Sequence, residues 1–161
     1  APSARLGLQL SPASLGTSIS LQQHLLVERD DANGRTDQLD VALEIDPQQI
    51  NMVGLAFGQR VLTINYDGQR VQSWRHMMLP SQVQAEDVLE DMQLTLWPLA
   101  AIRAALPVGW KVEQQGLRRT LSLNDEIVMV INYDNEVPWV GKVNLTNLRY
   151  HYRLTIESEV L

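Results

Sequence analysis

Four carboxylates crowd one short stretch of the chain: Glu86, Asp87, Glu90 and Asp91. On a helix, residues three and four apart share a face. Two roles are open to them. The face could hold a divalent cation, whose charge would offset the repulsion between the carboxylates. Alternatively it is the solvated start of a helix, where the macrodipole favours negative charge. Ser73, His76 and Asp67 are the side-chain types of a hydrolytic triad. No Gly-x-Ser-x-Gly turn accompanies them. Ser73 and His76 also have opposite parity in one strand, so a flat sheet would send them to opposite sides. No catalytic residue is therefore expected. The three histidines, His24, His76 and His151, stand far apart as isolated side chains, and no metal site is expected of them. The absence of cysteine excludes disulfides, cysteine-zinc sites, thiol nucleophiles and iron–sulfur clusters. Glycine-rich phosphate loops are missing too, and no cofactor is expected. Asn144-Leu145-Thr146 matches a glycosylation sequon, a pattern short enough to arise by chance.

Period-2 alternation dominates the elements that must position these residues. Residues 18–29 put Ile19, Leu21, Leu25 and Val27 on one face. Asp31-Ala32-Asn33-Gly34 reads as a hairpin turn, because Asn-Gly tolerates positive φ. In 37–46, Leu39, Val41, Leu43 and Ile45 point one way, and Gln38, Asp40, Glu44 and Asp46 the other. That is a sheet with one dry and one wet face. Further strands fall at 49–57, 60–66 and 69–77. After Pro80-Ser81 the period changes: Val88, Leu89, Met92 and Leu96 recur at helical spacing over 84–97. Pro98 ends this helix and opens a second, Leu99 to Leu106. Strands return at 110–115, 117–123, 126–133, 143–150 and 150–158, the third with Ile127, Met129, Ile131 and Tyr133 aligned. The expected fold is mainly β, of the α+β type. It is a curled antiparallel half-barrel of nine to eleven strands, with a central helical insertion covering its concave face.

The 161 residues make one domain by the prior of roughly 100–200 residues each. Its parts are an N-terminal extension (1–17), a first meander (18–79), the helical insertion (82–106) and a second meander (110–158). Hydrophobic residues make 45% of the chain and charged residues 20%, a globular composition. The net charge is −6 and no basic stripe appears, which argues against a nucleic-acid partner. The chain opens with Ala1-Pro2-Ser3-Ala4 and reads as a trimmed, mature form. Val61 to Gly68 echoes Val128 to Asn135, each a strand ending in Tyr-Asp at a turn. Shared turn chemistry accounts for this, with duplication as the alternative.

The apolar sheet face and the helices can meet in two ways. The helices plug the sheet as an ordinary core, or sheet and helices enclose an imperfectly filled apolar cavity, which suits a lipid-like guest. One Phe, four Trp and four Tyr are few aromatics with which to fill a wide barrel. The candidate cavity lining is Leu39, Val41, Leu43, Ile64, Trp74, Met92, Leu96 and Met129. Met52, Met77 and Met78 join Met92 and Met129 as adaptable wall. Gly54 and Gly58 bracket Leu55 and Phe57, and Phe57 is the sole Phe. At a hairpin tip these two side chains would meet solvent or a membrane; in a continuing strand they would be core.

The order of strands, central helices and strands resembles the LolA/LolB class of periplasmic lipoprotein carriers and acceptors. The stretch Val53-Gly54-Leu55-Ala56-Phe57-Gly58-Gln59-Arg60-Val61-Leu62-Thr63-Ile64-Asn65-Tyr66-Asp67-Gly68 is similar to the third and fourth strands of LolB-like proteins. Over about 18–158 the chain looks closer still to a LolB-like lipoprotein family of unknown function. Its members are encoded in Gram-negative gene clusters for aryl polyene or fatty-acid-like products. The resemblance implies a protein that is not an enzyme. It implies an outer-membrane lipoprotein facing the periplasm, anchored through an acylated Cys upstream of Ala1. Its expected partners are a lipid or acyl-chain ligand, the outer-membrane surface and a periplasmic LolA-like carrier. Leu55 and Phe57 are then membrane-contact residues. Its rivals are an esterase acting on the same acyl product and a scaffold lipoprotein of a biosynthetic complex.

Overall fold

The computed structural model describes residues 5–30 and 34–161. Of the expected turn Asp31-Ala32-Asn33-Gly34 the first three residues lie outside them, as does the Ala1–Ala4 start. The first meander is β1 (Ile19–Arg29), β2 (Thr36–Ile45), β3 (Ile50–Ala56), β4 (Gln59–Tyr66) and β5 (Val71–Arg75). Two helices follow, α1 (Ala85–Leu96) and α2 (Leu99–Ala105). The second meander is β6 (Trp110–Gln115), β7 (Arg118–Leu123), β8 (Glu126–Tyr133), β9 (Lys142–Asn147) and β10 (Tyr152–Val160).

All ten strands join one antiparallel sheet in the order β5-β4-β3-β2-β1-β10-β9-β8-β7-β6. The pairing of β1 with β10 welds the two meanders together, and it makes the apolar face continuous. Leu39 faces Leu25, Leu25 faces Ile156, and Ile156 faces Val143 across four adjacent strands. Alternating sequence specifies this register, because a slip by one residue would turn each apolar set to water. The helices lie on that apolar face, α1 against β4 and β5, α2 against β6.

Two β-bulges interrupt the alternation. Gly54 pairs with Leu62 and Leu55 with Arg60, which makes Val61 an extra residue in β4. Leu121 pairs with Met129 and Ser122 with Ile127, which makes Val128 extra in β8. Both valines are buried. The second bulge corrects the expectation that Ile127 aligns with Met129: past the extra residue the pleat is out of phase, and Ile127 is exposed. The echoed segments therefore share a bulge as well as a final tyrosine. Their strands do not occupy equivalent places in the sheet order, so the topology gives duplication no support.

The N-terminal segment is part of the core and not an extension. Leu8, Leu10 and Leu15 are buried with the main apolar cluster. Gln93, wholly buried in α1, makes two hydrogen bonds to the backbone of Leu10: the Leu10 N–H donates to Oε1 (2.9 Å) and Nε2 donates to the Leu10 carbonyl (2.8 Å). The Leu8 N–H donates to Glu90 Oε1 at 2.9 Å. The indole N–H of Trp97 donates to Ser14 Oγ at 2.8 Å. The Tyr66 hydroxyl donates to the Gln9 carbonyl, tying this strap to the end of β4. Hence α1 can bury Glu90, Asp91 and Gln93: the strap supplies partners to the side of the helix that would otherwise face water, while the buried Thr95 hydroxyl donates to the Met92 carbonyl within α1.

Candidate functional site: an apolar cavity with a polar end

A cavity of about 1110 Å³ opens between the sheet and the helical layer. Ligand pockets are typically about 300–1,000 Å³, so this one has room for a large guest. Leu25, Leu39, Met52 and Ile156 form its sheet wall, from β1, β2, β3 and β10. Val88 and Met92 of α1, with Leu79 and Val83 of the preceding loop, form the wall opposite. The strap touches both ends of the sheet: Gln9 meets the Tyr66 end of β4, and Arg5 lines the cavity, which occupies the end marked by Leu39 and the β3–β4 turn.

Of the eight expected lining residues, Leu39 and Met92 are on the cavity wall. Val41, Leu43, Ile64, Leu96 and Met129 are buried but do not line it; they belong to the filled core. Trp74 is a correction of another kind. It pairs with Thr63 and so takes the opposite side of the sheet from Ile64, where it is 48% exposed. Met52 and Met78 line the cavity, while Met77 is exposed beside it in sequence and Met129 lies in the core. Leu25, Leu154 and Ile156 were missed as lining. Their alternation was readable, but the β1–β10 pairing that brings them under α1 was not.

Leu55 and Phe57 both border the cavity. Leu55 is exposed at the end of β3, and Phe57 is fully exposed. Ala56 pairs with Gln59, so Phe57-Gly58 is a two-residue hairpin turn. Both turn residues have positive φ, 52° and 74°. Asn, Asp and Gly favour such positions, whereas a bulky side chain there is strained. The β7–β8 turn shows the ordinary solution, with Asn124 and Asp125 at φ 50° and 67°. At the cavity mouth the chain instead spends its one Phe on a strained, solvated position. Met78 of the loop before α1 is also exposed and borders the same cavity.

The acidic cluster divides: Glu86 and Asp87 lie in the first turn of α1, as a helix start would have them, whereas the other two carboxylates turn inward. Glu86 is exposed, but Glu90 and Asp91 are buried and satisfied within the protein. Arg5 Nη1 donates to Asp91 Oδ1 at 2.9 Å and to Glu90 Oε2 at 3.3 Å. The Tyr152 hydroxyl donates to Asp91 Oδ2, and Arg5 Nη2 donates to that hydroxyl at 2.9 Å. No group of three or more His, Asp or Glu side chains among the described residues is arranged to hold a metal ion. Burial pushes the Asp91 carboxyl up to about 6, against the opposing pull of Arg5 and the Tyr152 hydrogen bond. Burial first, then the Asp91 charge, raises the Tyr152 phenol well above its ordinary range.

The raised Asp91 pKa predicts a stability slope. Between the ordinary value of 3.8 and about 6, the folded state holds a proton that the unfolded chain has released. Stability contributed by this group is therefore full below pH 4 and is lost as the pH rises through 6, by up to roughly 3 kcal/mol. Urea unfolding at pH 4, 5 and 6 checks this. Asp91→Asn should remove that share of the slope; an identical slope in the variant would contradict the assignment.

The triad types do not assemble. His76 Nδ1 accepts the Met78 N–H at 3.0 Å. Asp67 Oδ1 accepts the N–H groups of Gln69 and Arg70 within its own turn, and these bonds hold its carboxyl below the usual range. His24 makes an exposed pair with Asp40 at 2.9 Å, across β1 and β2.

Comparison with known proteins bears on the fold. A LolA superfamily protein from Nitrosomonas europaea has a similar crystal structure, with a TM-score of 0.52 at 10% identity, over 94% of this chain and 92% of that one. This shows a LolA-like fold. No curated protein matches the sequence. The family described as "protein of unknown function (DUF3261)" matches residues 20–160.

Proposed function

We infer from the cavity that this chain, which belongs to the DUF3261 family of proteins of unknown function, is a lipid-binding module that accepts an acyl chain between its sheet and α1. The observation that carries this reading is the 1110 Å³ space walled by Leu25, Leu39, Met52, Val88, Met92 and Ile156. Apolar cavities stay dry and take apolar guests. The LolA-like fold supports a carrier-like role. The strained, exposed Phe57 at the mouth supports transfer at a membrane surface, because apolar exposure at such a cost in backbone strain has no folding benefit. In this proposal the protein works at the periplasmic face of the outer membrane, held there by an acyl anchor. It receives or delivers lipid there, with a pathway-specific acyl or polyene product as the finer form of the idea and a LolA-like carrier as donor. It performs no catalytic step.

Titration with a fluorescent fatty acid tests the cavity. Met92→Trp places a bulky ring in the space from the α1 side and should weaken binding at least about tenfold, a change of about 1.4 kcal/mol. Leu39→Trp does the same from the sheet side and covers the case in which one variant misfolds. Thermal melting establishes that each variant is folded. Unchanged binding in folded forms of both would place the ligand elsewhere.

A further inference from the structure

One end of the cavity is not apolar. Arg29, Asp37 and Tyr152 line it together. Arg29 is the last residue of β1 and follows Leu25 and Val27 on the same face. Asp37 of β2 pairs with Val27, which makes Asp37 and Arg29 diagonal neighbours across the two strands. The Arg29 guanidinium sits 5.8 Å from the centre of the Tyr152 ring. Its Nε is buried and makes no hydrogen bond, and no carboxylate among the described residues pairs with it. The other cations here are committed: Arg5 to Asp87, Glu90 and Asp91, and Arg35 to Asp37 Oδ1 at 3.4 Å. Asp37 Oδ2 is buried and unpartnered as well. Thus a buried donor on a cation and a buried acceptor on a carboxylate stand unmatched on one wall. Buried polar atoms seldom go unpaired, because each costs the full desolvation of the group.

We propose that this end of the cavity recognises the headgroup of an amphiphile: an oxyanion bonded by Arg29, and an adjacent N–H or O–H donor bonded by Asp37. The acyl chain then runs between Leu25, Leu39 and Met92. The inference rests on the cavity being the lipid site and adds the class of headgroup. Charge-assisted bonds are stronger than neutral ones, so the head would discriminate among lipids while the chain supplies general affinity. A head with an oxyanion and an ammonium matches both unpaired groups; an uncharged glycerol head matches Arg29 poorly.

The test is displacement of a bound fluorescent fatty acid by lysophosphatidylethanolamine and by a monoacylglycerol of the same chain. The native chain should prefer the former at least about tenfold, equivalent to about 1.4 kcal/mol. Arg29→Leu should abolish that preference while keeping monoacylglycerol binding, and Arg29→Lys should restore part of it. Asp37→Asn should weaken lysophosphatidylethanolamine alone. Inorganic phosphate in large excess should not displace the probe; displacement by phosphate would make this a free-anion site and overturn the headgroup assignment. A native chain with no preference, or an Arg29→Leu variant that keeps it, overturns this inference and leaves the cavity reading standing. A native chain that binds neither lipid nor probe overturns both.

Discussion

Phe57→Asn should strengthen the fold and weaken the hold on membranes. Asn tolerates positive φ, whereas a left-handed conformation costs other L-residues roughly 1–2 kcal/mol. Relief of that strain at φ 52° should raise Tm by about 2–4 °C for a chain of this size. No core contact is lost, because the Phe57 side chain is fully exposed. Burying a Phe in lipid contributes about 1.5–3 kcal/mol. Its loss should therefore lower partition onto vesicles about 10–100-fold in a flotation assay. Leu55→Glu at the neighbouring exposed position should act in the same direction. A fall in Tm with intact flotation would show that the turn serves the fold, and the membrane role would be withdrawn.

Arg5→Ala should be the most destabilising single change in the strap. It leaves Asp91 and Glu90 of α1 buried without their cation. Breaking a buried ion pair from one side typically costs about 3–5 kcal/mol. The loss should shrink toward pH 4, where the Asp91 carboxyl, pushed up to about 6 by burial, is neutral. Urea unfolding at pH 4 and pH 7 measures both parts. A loss below about 1 kcal/mol at pH 7 would mean that the Gln93 clamp and the buried leucines hold the strap without the ion pair.

The strands were readable because burial on one face leaves a period-2 trace. Leu39, Val41, Leu43 and Ile45 do share a face, and the helices fall where the period changes. Which part of that face is cavity was not readable. It depends on the β1–β10 pairing, on the strap and on where α1 lies, and none of these leaves a local signal. Parity reasoning also assumes an unbroken pleat. The extra Val128 defeats it for Ile127, and the β4–β5 register sets Trp74 apart from Ile64. Glu86 and Asp87 do form the helix start that their spacing suggests, but Glu90 and Asp91 are covered by a strap 82–86 residues away in sequence, which leaves no local signal. Phe57 was legible as unusual from its bracketing glycines, but its strain emerged only with the turn conformation.

The central claim is that the space between the sheet and α1 holds an acyl chain. Native mass spectrometry of the protein, purified without detergent from a lipid-containing host and compared with Met92→Trp prepared identically, tests it most directly. The account predicts a one-to-one adduct of lipid mass on the native chain and its loss from the folded variant. A native chain that is bare after incubation with lysophosphatidylethanolamine, or a variant that carries the same adduct, would contradict it.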